Sequence, residues 1–149
     1  MGSPMLGARL FSLCGIVFLV AGLFLRPVGV PSIDIYANGT YFVVWHVHLL
    51  FLSGLILWLY AGLYYLGARL FGLGFSLTLM VAHLLVTIAA LLGLNSIRYL
   101  GIDGIDHPPV SPLIFRLVPV CGALFLIGAL LFVVIVLLAT VARIRRATA

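Results

Sequence analysis

Trp45-His46-Val47-His48 places two imidazoles two residues apart inside an apolar stretch running from Thr40 to Leu66. Imidazole is a common neutral nitrogen ligand for iron, copper and zinc. Ionisable side chains in a lipid-spanning segment are costly enough to mark function. At 3.6 residues per turn, two residues correspond to about 200° of rotation, so on a helix the two rings point to nearly opposite faces. An i, i+4 pair could close on one ion, and this pair cannot. One helix therefore offers one nitrogen ligand to each of two different sites.

The three acids, Asp34, Asp103 and Asp106, all lie outside the apolar stretches. No carboxylate inside them can orient a zinc ligand or relay protons. Haem brings its own hydrophobic surface and needs only axial nitrogens, so the pattern points to haem. The competing explanation, two interhelical hydrogen bonds, needs two buried partners at the same level. Trp45 is an interfacial aromatic that could also wall a planar cofactor. Arg98 stands where a guanidinium could meet haem propionates in a bidentate fork, or simply snorkel to the interface. His83 lies about 21 Å inside the outer end of its helix, and His46 only about 9 Å below the start of its own, at 1.5 Å per residue. A polar interhelical contact is the expectation for His83. His107, beside Asp103 and Asp106, reads as a surface residue ahead of the alternative, a weak cation ligand.

These side chains need helices to hold them, and the composition supplies them. Of 149 residues, 65% are apolar and only 7% are charged, with a mean hydropathy of +1.37. This is the composition of a polytopic membrane protein. The expected fold is all-α, an integral membrane domain of four transmembrane helices near 8–26, 40–67, 73–98 and 112–143. The first apolar run lacks a small-x-small cleavage pattern at Leu23-Phe24-Leu25-Arg26-Pro27 and reads as a retained helix. The connection between the second and third helices, Gly67 to Gly72, is short, so those two should be antiparallel neighbours. The lead-in loop is punctuated by Pro27, Gly29, Pro31 and Asn38-Gly39 and should lie over the membrane surface. Cys14 and Cys121 read as small buried hydrophobes. The helices offer no evident polar file for protons.

Every basic residue is an arginine. Arg9, Arg69, Arg143, Arg145 and Arg146 fall on one side of a four-helix topology, and Arg26, Arg98 and Arg116 share the other with all three acids. The positive-inside rule puts both termini in the cytoplasm, most simply at a prokaryotic plasma membrane. So few charges are orientation information and exclude a nucleic-acid footprint.

The chain resembles the C-terminal part of subunit I of the haem–copper oxidases. Ser32-Ile33-Asp34-Ile35, then Thr40 through His48, Ser53-Gly54, Ala61 to Tyr65 and Gly72 are similar to that family's tenth helix and its lead-in. Leu92-Gly93-Leu94-Asn95 with Arg98-Tyr99 is similar to the end of the eleventh. The resemblance implies that His46 is the proximal ligand of the high-spin, oxygen-reducing haem and His48 an axial ligand of the low-spin, electron-transferring haem. Arg98 corresponds to one of two adjacent propionate arginines. Asn38-Gly39 stands where the family has His-Asp, and Trp45 where a small residue is usual. The second low-spin ligand and all copper ligands belong to earlier helices in the family, so a partner chain would have to supply them.

Two functional readings follow. In the first, the chain is a haem-binding subunit of a respiratory terminal oxidase, inactive alone. It joins other oxidase subunits that carry the missing helices, with copper present only if a partner supplies it. In the second, symmetry copies complete the haem site, for instance His48 facing His48 across a twofold axis. The protein then serves electron transfer, haem handling or sensing without copper.

Overall fold

A computed structural model describes residues 4–24, 33–37, 40–44, 46–96 and 112–148, with side chains over 5–24, 48–96 and 116–148. The element order is α1 (Pro4–Phe24), β1 (Ile33–Ala37), β2 (Thr40–Val44), α2 (His46–Phe71), α3 (Leu77–Ser96) and α4 (Pro112–Thr148). Each helix contains a segment long and apolar enough to cross a membrane: Met5–Phe24, His48–Phe71, Leu77–Ser96 and Arg116–Thr148. All reach the ~20 residues a bilayer core requires.

The helix bounds differ from the expected ones at several ends: α1 begins at Pro4 and not 8, α2 runs on to Phe71 past 67, and α3 begins at Leu77 and not 73, while α4 begins at 112 as expected. Proline, tolerated in a first turn because its missing N–H has no helical partner there, opens α1 at Pro4 and α4 at Pro112. At the far end α4 continues to Thr148, past the expected 143. Arg143, Arg145 and Arg146 are good helix formers, and their charge suits the negative end of the helix dipole. The largest shift is at α2. Thr40–Val44, expected as its first turn and a half, forms instead the second strand of an antiparallel hairpin, with Ile33 opposite Val44 and Ala37 opposite Thr40. β-branched and aromatic residues favour the pleated strand, and Asn38-Gly39 between the two runs is a strong hairpin signal. The helix therefore starts at His46 itself, and the expected depth of 9 Å below its start disappears.

The turn after α2 is closed by Gly72 at φ +55°, a left-handed position that glycine takes without steric cost. The Leu73 N–H donates to the Gly67 carbonyl at 3.1 Å. Tyr64 then meets His83, and Ser53 meets Asn95. Rising numbers on α2 thus face falling numbers on α3, the antiparallel arrangement expected from the short connection.

The broadest packing surfaces are elsewhere, between α1 and α2 and between α3 and α4. The α1–α2 contact is set by glycines. A Cβ at Gly54 would lie 2.6 Å from Leu19 Cγ and 2.9 Å from the Gly15 carbonyl oxygen, and one at Gly15 would collide with the Trp58 ring. Small residues let membrane helices approach at backbone distance. Across α3–α4, buried Cys121 fills the notch left by Gly93, as a small hydrophobe should. The two pairs meet over a core that includes Phe11, Leu57, Tyr64, Met80 and Ile135.

Gly54→Ala is accordingly expected to destabilise the bundle by about 1–3 kcal/mol, the usual cost of overpacking, because a backbone oxygen cannot step aside. Gly122→Ala, whose Cβ meets nothing within 4 Å, should leave stability unchanged. Equilibrium unfolding in mixed micelles at rising SDS mole fraction measures both.

Candidate functional site

The first turn of α2 carries both candidate ligands, and the burial of the residues below them distinguishes its two faces. Position 46 heads the row 50, 53, 57, 61 and 64, in which Leu50, Ser53, Leu57, Ala61 and Tyr64 are all buried. Position 48 heads the opposite row. His48 is exposed, and so are Phe51, Leu52, Leu55, Leu59, Leu63, Leu66 and Leu70 below it. The opposition read from the two-residue spacing is therefore a division between an inward row and an outward apolar row. The side chain of His46 lies outside the described residues, as do Trp45, Arg98 and His107.

Among the described residues, no three of His, Cys, Asp and Glu cluster with metal-binding geometry. Positions 46 and 48 lie on opposite faces of α2. A cleft of about 190 Å³ opens one to two turns below them, between α2, α3 and α4. Leu49, Leu52, Ser53, Ile56, Asn95 and Phe125 contribute to its walls.

The polar residues that hold α2 in rotation were not legible as partners in the sequence. Asn95 Nδ2 donates to Ser53 Oγ at 3.0 Å and to the Leu91 carbonyl at 2.7 Å, and Ser53 Oγ donates to the Leu49 carbonyl at 2.7 Å. Deeper along the helices, Tyr64 Oη and His83 Nδ1 share a hydrogen bond of 2.9 Å. His83 is fully buried, with its ring 5.1 Å from that of Phe11, 4.5 Å from Tyr60 and 5.8 Å from Phe132. This is the polar interhelical contact expected of it. Tyr64 is 16 residues beyond His48, about 24 Å along the helix axis, so His83 and the His-x-His pair occupy different levels.

No polar file is evident in the sequence of the helices. The interior nevertheless contains His83, Thr87 and Asn95 on one face of α3, with Ser53 and Tyr64 opposite. Their spacing of four and eight residues was the available signal, diluted by the apolar residues around it. His83 Nε2, Thr87 Oγ1 and Asn95 Oδ1 have no hydrogen-bond partner among the described residues. Buried Ala90 and Leu91 separate Thr87 from Asn95, so these are two polar ties and not one thread.

Tyr64→Phe should cost about 1–3 kcal/mol, because it strands His83 Nδ1 in the interior. Tyr64→Phe combined with His83→Leu should cost less than the sum of the two single changes. A double-mutant cycle of SDS-unfolding free energies reads the coupling directly.

Comparison with known proteins finds sequence similarity to cytochrome c oxidase subunit 1. The chain is 29% identical over 136 residues to cytochrome c oxidase subunit 1 of Alkalihalophilus pseudofirmus, covering 79% of this chain and 20% of that protein. It is 33% identical over 92 residues to cytochrome c oxidase subunit 1 of Candida albicans, covering 61% of this chain and 17% of that protein. The chain thus spans about a fifth of the length of the curated relatives it matches. No protein-family profile matches the chain, and no solved structure does.

Proposed function

We propose that this chain is the His-x-His-bearing, four-helix part of a terminal-oxidase core resembling subunit I, with His46 and His48 each giving one axial nitrogen to a separate haem. The observation that carries the proposal is the division of α2 into two rows, inward below position 46 and outward below position 48. The similarity to cytochrome c oxidase subunit 1 over 79% of the chain supports it independently.

The residues fit the group. His48 presents an accessible imidazole at the head of an apolar stripe, which suits a flat hydrophobic cofactor entering from outside the bundle. A further ligand to that group would then come from another polypeptide. Arg98 would pair with the propionate carboxylates, and Trp45 would flank the ring beside His46. The Ser53–Asn95 and Tyr64–His83 bonds fix the rotation of α2 about its axis and so aim both histidines. When bound, haem supplies electron transfer and, with copper from a partner chain, reduction of oxygen to water. The partners are then oxidase subunits bearing the missing ligands, and the arginine distribution supports both termini on the cytoplasmic side of a plasma membrane.

One observation also favours a second reading. The exposure of His48 suits a twofold pairing of two copies around a single haem, without copper. Metal and haem analysis of two preparations tests both: the chain expressed alone, and the chain purified with its native partners. Haem and copper confined to the larger complex support the oxidase reading. A low-spin haem retained by the chain alone, at one per two copies, supports the homo-oligomer. Haem in neither preparation refutes both.

A further inference from the structure

At the end of the bundle away from the His-x-His pair, a groove of about 390 Å³ runs between α1 and α2. Arg9 and Ser12 of α1 and Trp58, Gly62 and Tyr65 of α2 help to line it. Its floor is unusual for this helix pair. Gly15 and Gly54 are glycines because a side chain would strike the neighbouring helix, but a Cβ at Gly62 would meet nothing within 4 Å. Gly62 is not needed for the α1–α2 contact, and its missing side chain deepens the groove instead. Trp58 closes one end with its Nε1 donating to the Ser12 carbonyl at 3.2 Å. The indole N–H is thereby occupied, leaving a largely apolar ring against the groove.

Charge selects the occupant. The groove lies within the spans Met5–Phe24 and His48–Phe71, yet exposed Arg9 projects from its wall. Arg69 in the last turn of α2 and Arg143, Arg145 and Arg146 of α4 stand at the same end, where Arg146 approaches the α2–α3 turn at Gly74. No acidic residue lies at this end among the described residues. An apolar helix of another chain packed over the groove would bury an unpaired guanidinium, which is expensive. An acyl chain fills the groove and a phosphate satisfies the arginine, as basic pockets between membrane helices do for anionic headgroups. A zwitterionic lipid brings its own cation to its phosphate and gains less. We propose that this groove is a binding site for an anionic phospholipid, with its phosphate on Arg9 and its acyl chain laid over Gly62 toward Trp58.

Trp58 reports on the site directly. The full chain is reconstituted into vesicles with rising fractions of phosphatidylglycerol or phosphatidylcholine brominated on the acyl chain. The Trp58 contribution to fluorescence is obtained by difference from Trp58→Phe. Brominated phosphatidylglycerol should reach half-quenching at a mole fraction about fivefold lower than phosphatidylcholine, the preference that one interfacial arginine supplies. Arg9→Gln should abolish the preference while leaving quenching by both lipids. Gly62→Leu fills the floor from a position where an added Cβ meets nothing within 4 Å, so it should weaken quenching by both. Equal quenching by the two lipids in the unaltered chain overturns the proposal. So does a preference that survives Arg9→Gln, or quenching that Gly62→Leu does not alter.

Discussion

His48→Ala is expected to remove about half of the haem from the assembled complex, the share held by one axial site of two. The low-spin α-band should disappear with it. His46→Ala should remove the other half and the high-spin signal, leaving the low-spin band in place. Such separability follows from the rows of α2: a group coordinated from the row below position 48 cannot be reached from the row below position 46. Loss of His48 should also leave the core intact, because its side chain is exposed. Pyridine-haemochrome content and reduced-minus-oxidised spectra of complexes carrying each substitution, normalised to the amount of this chain, make the measurement. Unchanged haem in both variants would sink the assignment. If either single substitution removed both signals, the two histidines would not serve separate sites.

Phe11→Ala should be the most damaging core substitution in α1, at about 3–5 kcal/mol. Phe11 is fully buried, and its ring lies 6.0 Å from Tyr60, 5.4 Å from Tyr64 and 5.1 Å from His83. It is the α1 side chain in the aromatic cluster that joins α2 to α3. The cavity left behind would be lined partly by the Tyr64–His83 pair, which then loses its apolar cover. The SDS mole fraction at half-unfolding should fall further for Phe11→Ala than for Gly54→Ala. A shift no larger than that of an exposed control such as Leu13→Ala would mean that the cluster is not a packed core.

The four spans were legible because length and apolarity alone define them, and the opposed faces of His46 and His48 because helical rotation is arithmetic. The start of α2 was not. Thr40–Val44 is equally apolar as strand or helix, and only the preceding Asn38-Gly39 distinguishes the two, a signal that the continuous hydrophobic run obscured. Nor could the sequence indicate that α1 pairs with α2 through Gly15 and Gly54. Glycines recur throughout the chain, and a Cβ at Gly62 or Gly122 would meet nothing within 4 Å. The partner of His83 was unreadable for a related reason. Tyr60, Tyr64 and Tyr65 all sit near the same end of α2, and three-dimensional register selects Tyr64.

The location of the polar ties constrains how the chain can be inserted. Asn95 and His83 find their side-chain partners on α2, across the thinner contact between the two helical pairs. Were α3 and α4 to enter the bilayer as a hairpin ahead of α2, an amide and an imidazole would face acyl chains, at several kcal/mol for each unsatisfied group. Synthesis order removes that penalty, because Ser53 and Tyr64 are already in the membrane when α3 emerges. The α1–α2 pair would then act as a receptor for the α3–α4 pair during insertion, with two hydroxyls waiting for it.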